Sequence, residues 1–493
     1  MLVWFLPLFL VLIMIGLPIF FALLAAPGVM LWLNGQERDL AVLYRNVYVG
    51  MDSFPLMALP FFMLAGEIMN RGGITTRLVE FSQAIMGHLR GGLAHVNILS
   101  SLLFAGMSGS AVADVSALGS TLIPAMEKNG YTRKFAAAIT AASSVIGPII
   151  PPSGIMIIYA YVMGESVAAL FLAGIVPGAL VAIGLMLTVR LMADRYDLPK
   201  AERIVTRGQT LSRLEYWVSL VLVRINVAGI LYGLGALVLS LTGLEISGWI
   251  LFLLFLPVAH LLMMGLRRKV SPDFRVVCKK AVAPLQTPII ILGGILVGVA
   301  TPTEASAVAV AYALVVSFLV LRSMNGRDLF EVLGRAALGT SAVLLLVGAA
   351  VAFKTVVSLS HAPEQLTEII LGLSENPLIL LFLINVLLFI VGMFLDAGPA
   401  IIILGPILGP IFVELGVHPV HFAIIMSVNL TVGLATPPMG LVLFVASGVS
   451  GVKVETIARA ILPFLAVEIF VIFLITYVPA ISMTIPRLTG FVQ

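Results

Sequence analysis

Long apolar runs, recurring from one end of the chain to the other, constrain its fold more than any other feature. A run of about twenty apolar residues is long enough to cross the hydrocarbon core of a bilayer as a helix. Apolar residues make up 60% of the chain and charged residues 11%, a balance that soluble globular domains do not show. The sequence therefore predicts an all-α polytopic membrane protein.

Hydropathy predicts twelve membrane crossings along the 493 residues. They lie near 2–33, 54–70, 74–90, 131–163, 165–191, 215–243, 247–266, 284–321, 334–358, 362–372, 419–447 and 457–481. The first has no basic residues ahead of it, so we interpret it as a retained crossing and not as a cleaved leader. Two further stretches, 92–126 and 376–413, are too long for one crossing and are broken in the middle. We interpret each as a re-entrant helical hairpin.

The positions of the basic residues predict an orientation. The loops 190–213 and 267–280 each carry six Lys or Arg residues, and loops of that length with such an excess stay on the cytoplasmic side. This places the N-terminus outside. The basic residues form no single patch, which argues against a nucleic-acid partner. Cys278 is the sole cysteine, so the chain can form no internal disulfide and no cysteine metal cluster.

An internal repeat appears when the chain is aligned with itself at an offset of 286 residues. GMSGSAVADVSALGSTLIPAM, from Gly106, lies over GMFLDAGPAIIILGPILGPIF, from Gly392. Fifteen identities fall between residues 106 and 160, and eight of them are Gly or Pro. Chance matches in an apolar chain do not concentrate at Gly and Pro. We therefore expect one repeat over 1–191 and a second over 284–493.

Each repeat is predicted to hold five crossings, an odd number, so the two copies should have opposite topology. Inverted repeats of this kind are typical of secondary transporters. Residues 192–283 join the copies and contain an extra predicted helix pair, 215–266. Because this pair is even in number, it leaves the inversion intact.

One crossing in each repeat is predicted to be broken by prolines, at SSVIGPIIPPSG (143–154) and NLTVGLATPPMG (429–440). Adjacent prolines cannot donate helical hydrogen bonds, so the backbone must unwind there. Unwound backbone is tolerated in a membrane only against protein or a wet cavity. Exposed carbonyls suit Na⁺ and helix N-termini suit anions. The alternative is an ordinary packing kink.

The hairpin turns supply the acidic candidates. Ser110 is expected to cap the helix that follows it, with Asp114 in the first turn of that helix. At the offset of 286, Asp396 takes the register of Ser110. Carboxylates buried in a membrane are functional candidates, and the alternative is helix capping in a solvated crevice.

Two other polar sites favour structural interpretations. Thr301-Pro302-Thr303-Glu304 fits a capping box at a helix restart inside a bent segment, and Gly16-Leu17-Pro18 marks the corresponding bend in the first copy. Lys354 is expected to extend to the nearby inner interface, although it could instead face an anionic substrate.

Several enzyme and energy-coupling motifs are missing from the sequence. It contains no GxxxxGK[ST], no HExxH, no GxSxG and no CxxC, so neither an ATP-binding P-loop nor a hydrolase signature is visible. We therefore predict that the chain is not an enzyme, and that its energy comes from an ion gradient or from another subunit.

The motifs resemble those of a known family. GMSGSAVADVSALGSTLIPAMEKNGY, AASSVIGPIIPPSG, ATPTEASAVAVAYAL, MFLDAGPAIIILGPILGPI and ATPPMG are similar in order and spacing to the large membrane subunit, the DctM type, of TRAP (tripartite ATP-independent periplasmic) transporters. The resemblance implies an elevator-type carrier in the bacterial inner membrane that imports organic acids with Na⁺. It also implies two partners, a small membrane subunit of about four helices and a periplasmic substrate-binding protein.

The resemblance also implies site residues, carried over motif by motif. One Na⁺ site would use Ser108, Gly109, Ser110, Gly147 and Pro151. A second would use Gly392, Asp396, Gly433, Thr436 and Pro437. The substrate, a small carboxylate or sulfonate, would lie near Ser110, Asp114, Ser153 and Asp396.

Two alternatives and one departure remain at this point. A stand-alone organic-anion carrier of related fold has the same repeat and hairpins, and a proton-translocating respiratory subunit would need a relay of buried ionisable residues that the sequence lacks. The helix pair 215–266 departs from the family pattern. It is expected to enlarge the scaffold or to contact the small subunit, so its deletion should weaken complex assembly.

Overall fold

The computed structural model is all-helical over the residues that it describes, which are 4–195, 198–199, 211–242, 248–359, 372, 374 and 376–492. Within those ranges nine helices are long and apolar enough to cross a membrane, or ten if one bent pair counts as a span. Charged side chains are few, so these helices can meet lipid directly. The predicted polytopic membrane fold is confirmed at this level.

The first part of the chain forms ten helices. They are α1 (Phe5–Met14), α2 (Ile19–Leu33), α3 (Glu37–Met51), α4 (Ala58–Arg71), α5 (Ile74–Met86), α6 (Gly92–Ser108), α7 (Ala111–Lys128), α8 (Arg133–Ser144), α9 (Gly154–Met163) and α10 (Val167–Arg195). The break between α1 and α2 falls at the predicted bend, where Gly16 has a φ of +94°. The predicted broken segment 131–163 is two helices, α8 and α9, with an irregular stretch between them.

Two details of this part differ from the sequence predictions. Helix α3 lies in a stretch that hydropathy left as a loop, and it packs along a later helix through Gly50 and through a 2.8 Å hydrogen bond from Asn46 to Thr355. Helix α5 has 13 residues, which reach only about 20 Å. It is therefore shorter than the crossing predicted at 74–90.

The remainder of the described chain forms eleven helices. They are α11 (Arg213–Thr242), α12 (Gly248–Arg267), α13 (Pro272–Leu296), α14 (Pro302–Val315), α15 (Gly326–Leu359), α16 (Pro377–Phe394), α17 (Ala397–Glu414), α18 (Pro419–Gly433), α19 (Leu441–Ser450), α20 (Val454–Tyr477) and α21 (Ala480–Leu488). The extra pair is present as α11 and α12. Helix α13 begins twelve residues before the predicted 284, because Ser271 caps it and Pro272 opens it. The predicted crossing at 362–372 falls almost entirely outside the described residues.

Helix bounds and backbone features follow the offset of 286 residues. Helix α7 shifted by 286 covers 397–414, which are the bounds of α17. The two cis peptide bonds, Pro151-Pro152 and Pro437-Pro438, are related by the same shift. The similarity of the two copies thus extends from sequence to local structure, whereas their opposed orientation stays a prediction.

The two copies of the repeat pack against each other. The second arm of each hairpin packs against the second half of the broken helix of the other copy, α7 on α19 and α17 on α9. The first arms pack on their own broken helices, α6 on α8 and α16 on α18. Each hairpin is therefore held to both broken helices.

Buried amide side chains join the first arms to the broken helices. In the first copy, Asn97 donates to Thr140 Oγ1 at 2.6 Å. In the second, Asn429 donates to Asn385 Oδ1 at 2.6 Å, and Thr476 donates to the same oxygen at 3.0 Å. Hydrogen bonds buried in this way are costly to break, because water cannot replace the bond that the remaining partner loses.

Replacing Asn429 with alanine should lower the free energy of unfolding by about 1–3 kcal/mol, since it removes a donor from the buried Asn385 oxygen. The thermal unfolding midpoint in detergent measures the change. Asn226→Ala, on the half-exposed α11, is the matched control and should leave the midpoint nearly unchanged. Equal effects of the two substitutions would contradict a special role for the amide pair.

Candidate functional site

The turn of the first hairpin is two residues long. Helix α6 ends at Ser108, and Gly109 follows in the left-handed region with a φ of +59°. Ser110 then caps α7 by accepting a 3.4 Å hydrogen bond from the N–H of Ala113. The predicted cap is therefore confirmed. A Cβ atom at position 109 would lie 2.5 Å from the carbonyl oxygen of Pro152, so the turn sits directly on the unwound segment.

Asp114 lies one turn into α7 and is fully buried. Its Oδ1 accepts a hydrogen bond from Ser108 Oγ, whereas the described residues offer no hydrogen-bond partner to Oδ2. The same Oδ2 lies 2.5 Å from the point where a Cβ on Gly147 would stand. The structure thus brings Ser108, Gly109, Asp114 and Gly147 together, although the sequence assigned Asp114 to the substrate.

This arrangement suits a cation. A charged carboxylate taken out of water is costly unless a partner compensates for it. Asp114 Oδ2 faces Gly147 in the unwound stretch between α8 and α9, where the regular pattern of helical hydrogen bonds is interrupted. Carbonyl oxygens of an unwound helix are ligands that carriers use for Na⁺. The cluster places carboxylate, hydroxyl and backbone carbonyl oxygens close to one another.

Ser153 has a structural part in the same segment. It is fully buried and caps α9 by accepting from the N–H of Met156 at 3.4 Å. Its hydroxyl also donates to the carbonyl of Pro148 at 2.5 Å. Both interactions stay within the unwound stretch, so the side chain fixes the shape of that stretch. Its predicted contact with substrate stays a prediction.

The second copy joins its predicted residues through backbone contact. A Cβ atom on Gly433 would lie 2.6 Å from Gly392 Cα, so α16 and α18 touch at these two glycines. Thr436 is buried, and its hydroxyl donates to the carbonyl of Val432 at 2.9 Å. The cis peptide before Pro438 completes the break. The contact between Gly392 and Gly433 therefore lies next to the unwound residues that follow α18.

The acidic residue of the second hairpin differs from that of the first. Asp396 caps α17 by accepting from the N–H of Ala397 at 2.8 Å, and it is exposed at the tip. By the repeat offset Ala400 stands where Asp114 stands in the first copy. The first site consequently has a buried acid and the second an open one. Two chemically different sites can arise from one repeat in this way.

The structure shows the contacts of the Thr301–Glu304 segment and of Lys354, the two polar sites for which the sequence favoured a structural part. Glu304 Oε2 accepts from the N–H of Thr301 at 2.7 Å, and the N–H of Glu304 donates to Thr301 Oγ1 at 3.3 Å. The predicted capping box is confirmed. Lys354 donates to the carbonyl of Val162, in the last turn of α9. Its ammonium group thus meets a helix C-terminus, where a cation is favourable. The predicted extension to the inner interface stays a prediction.

A further buried acid was not predicted from the sequence. Glu468, in the middle of α20, is fully buried, and neither of its carboxyl oxygens has a partner among the described residues. An acidic residue in the apolar middle of a 24-residue helix was the signal that could have identified it, since ionisable groups in a membrane are functional candidates.

Comparison with known proteins agrees with this architecture. Residues 6–481 match the family model described as "Tripartite ATP-independent periplasmic transporter, DctM component". The chain is 37% identical over 482 residues to "Uncharacterized protein YgiK" of Salmonella typhimurium, covering 97% of this chain and 96% of that protein. It is 34% identical over 477 residues to the "Sialic acid TRAP transporter large permease protein SiaM" of Vibrio cholerae, covering 96% and 95%.

Among solved structures, a transporter of related fold matches over most of its length. The Alcanivorax borkumensis YdaH transporter superposes with a TM-score of 0.57 at 19% identity, covering 93% of this chain and 90% of that one. At this identity the similarity concerns the arrangement of helices alone.

Proposed function

Since the chain belongs to the DctM component family of tripartite ATP-independent periplasmic transporters, we propose that it couples entry of Na⁺ to import of a small organic acid. Family membership makes it the large permease of a multi-pass inner-membrane transporter, not an enzyme. It also implies a small membrane subunit and a periplasmic binding protein as partners. The ion, the site and the movement are the proposed parts.

The buried carboxylate of Asp114 is the observation that carries the sodium proposal. Its free oxygen faces Gly147 in the unwound segment, and a bound cation would supply the missing partner. Sodium, as a co-transported substrate, would be held by Asp114, by the hydroxyl of Ser108 and by carbonyls between Gly147 and Pro151. A second ion would lie at the Gly392–Gly433 contact with Thr436 and the open Asp396.

The organic anion would bind between the hairpin tips. Helices α7, α9 and α17 begin there, at Ser110, Ser153 and Asp396, and helix N-termini favour negative charge. Sodium at the adjacent sites would offset repulsion from Asp396. The Vibrio relative is named for sialic acid, which supports a carboxylate here. A sulfonate has the same charge and acceptor geometry.

The proposed movement depends on which helices pack together. Both hairpins pack on both broken helices, so these elements form one bundle that can move as a unit. Helices α2, α3 and α4 all pack against α15, and these four helices would form the static scaffold. This is the elevator form of alternating access.

A flux experiment tests the coupling. Proteoliposomes that hold the chain with its small subunit, plus the binding protein outside, should take up ²²Na⁺ only when a transported acid is present, starting with sialic acid and a panel of small carboxylates and sulfonates. Imposing a sodium gradient should drive acid uptake, and an equal potassium gradient should not. Uptake driven by a proton gradient alone would contradict sodium coupling and direct attention to Glu468.

A further inference from the structure

A cavity of about 440 Å³ opens between α11, α12 and the start of α13. Its lining residues lie between Tyr216 and Lys279, so it is separate from the hairpin tips and the broken helices. It adjoins residues 267–280, whose excess of basic residues predicts a position on the cytoplasmic side of the membrane. Nothing in the proposed transport cycle uses it.

Several of the lining residues are apolar, and some of them belong to α12, a helix with a largely exposed apolar surface. Leu220, Met263, Met264 and Phe274 belong to the lining. Only 11% of the apolar 18-residue stretch of α12 is buried within the protein, and Leu261 on the same helix is 63% exposed. In a membrane these surfaces meet acyl chains.

Four other lining residues are cationic. Arg224, Arg267, Arg275 and Lys279 all line the cavity, and among the described residues none of the four has a carboxylate within 4.0 Å. The nearest acid in sequence, Asp273, forms no such pair, and Glu215 is paired with Arg77.

Two of these cations are held in place by partners other than carboxylates. Arg224 donates through Nε to His260 Nδ1 at 2.8 Å and through a terminal nitrogen to the carbonyl of Leu220 at 2.7 Å. Lys279 lies 3.7 Å from the centroid of the Tyr216 ring, a cation–π contact that leaves its charge uncompensated. The cavity is therefore positively charged and preorganised.

We propose that this cavity binds one anionic phospholipid of the inner leaflet. The phosphate would lie among Arg267, Arg275 and Lys279, with an acyl chain along the exposed face of α12. Basic pockets between transmembrane helices on the cytoplasmic side recognise such headgroups. A free phosphate would leave the apolar lining residues uncovered, and an apolar helix of another protein would leave four charges unpaired. An anionic phospholipid would contact both kinds of lining residue, and would bind the inserted helix pair to α13.

Cys278 makes the site directly measurable, because it lines the cavity and is the sole cysteine of the chain. The full chain in nanodiscs of phosphatidylcholine should react with N-ethylmaleimide severalfold faster than in nanodiscs that contain phosphatidylglycerol. Arg267→Gln with Arg275→Gln removes two cations, which should weaken phosphatidylglycerol binding by roughly thirtyfold and restore the faster reaction. Unchanged labelling of this variant in phosphatidylcholine verifies that the cavity is folded.

The matched control is Arg268→Gln with Lys269→Gln, which removes the same charge from exposed neighbours outside the lining. This control should keep full protection in phosphatidylglycerol. Independently of any variant, native protein extracted from an equal lipid mixture should retain phosphatidylglycerol over phosphatidylcholine by native mass spectrometry. Equal labelling in both lipids, loss of protection in the control, or protection by soluble glycerol phosphate alone would each overturn the proposal.

Discussion

Alanine in place of Gly433 is expected to abolish uptake. It should also lower the free energy of unfolding by about 1–3 kcal/mol or more, since this is the usual cost of overpacking. Its Cβ would lie 2.6 Å from both the Cα and the carbonyl carbon of Gly392. Backbone atoms cannot move aside as the end of a side chain can, so α16 and α18 must separate. The thermal unfolding midpoint and the rate of acid uptake measure the two effects.

Gly448→Ala is the matched control for this substitution. Gly448 lies in α19, and nothing stands within 4 Å of a Cβ added there. The change should be neutral or slightly stabilising, because alanine favours a helix by up to about 1 kcal/mol over glycine. If Gly433→Ala behaved like Gly448→Ala, the close contact at Gly392 would not be required.

Asparagine in place of Asp114 is expected to weaken sodium activation of uptake by at least about 100-fold, a loss that even residues supporting a metal ligand can cause. The substitution keeps the shape of the side chain but removes its charge. Sodium would then lose the one buried carboxylate of the first site, while Ser108 still finds an acceptor oxygen. The measurement is acid uptake in proteoliposomes as a function of external sodium concentration.

Asp194→Asn controls for loss of a carboxylate in general. Its side chain is 80% exposed and pairs with Arg90 on the surface, where ion pairs contribute little. Uptake and its sodium dependence should be those of the unmodified chain. A normal sodium response in Asp114→Asn would remove this residue from the ion site.

The features that the sequence predicted well depend on local chemistry. Both helix breaks fall at Gly-Pro clusters, because proline removes backbone donors wherever the chain runs. Ser110 and Thr301 cap helices through residues three positions away. Signals of this kind need no knowledge of the tertiary fold.

The features that the sequence did not predict depend on contacts between residues far apart in the chain. Helix α3 contains several charged residues and therefore has low hydropathy, and its packing on α15 through Gly50 and Asn46 spans some three hundred positions. The orientation of Asp114 toward Gly147 likewise follows from how α7 meets α8. Residue type placed Asp114 near the site, but only the packing shows that its unpaired oxygen lies beside the unwound segment.

Thermal unfolding in NaCl compared with equal KCl tests the central claim most directly. A ligand that binds the folded state alone raises its stability by about 2.7 kcal/mol at one hundred times Kd. We predict a sodium-specific rise in the midpoint, reduced in Ser110→Ala and in Asp396→Ala compared with each variant in KCl. Identical midpoints of the native chain in the two salts, at sodium concentrations that support uptake, would contradict sodium binding at the hairpin tips.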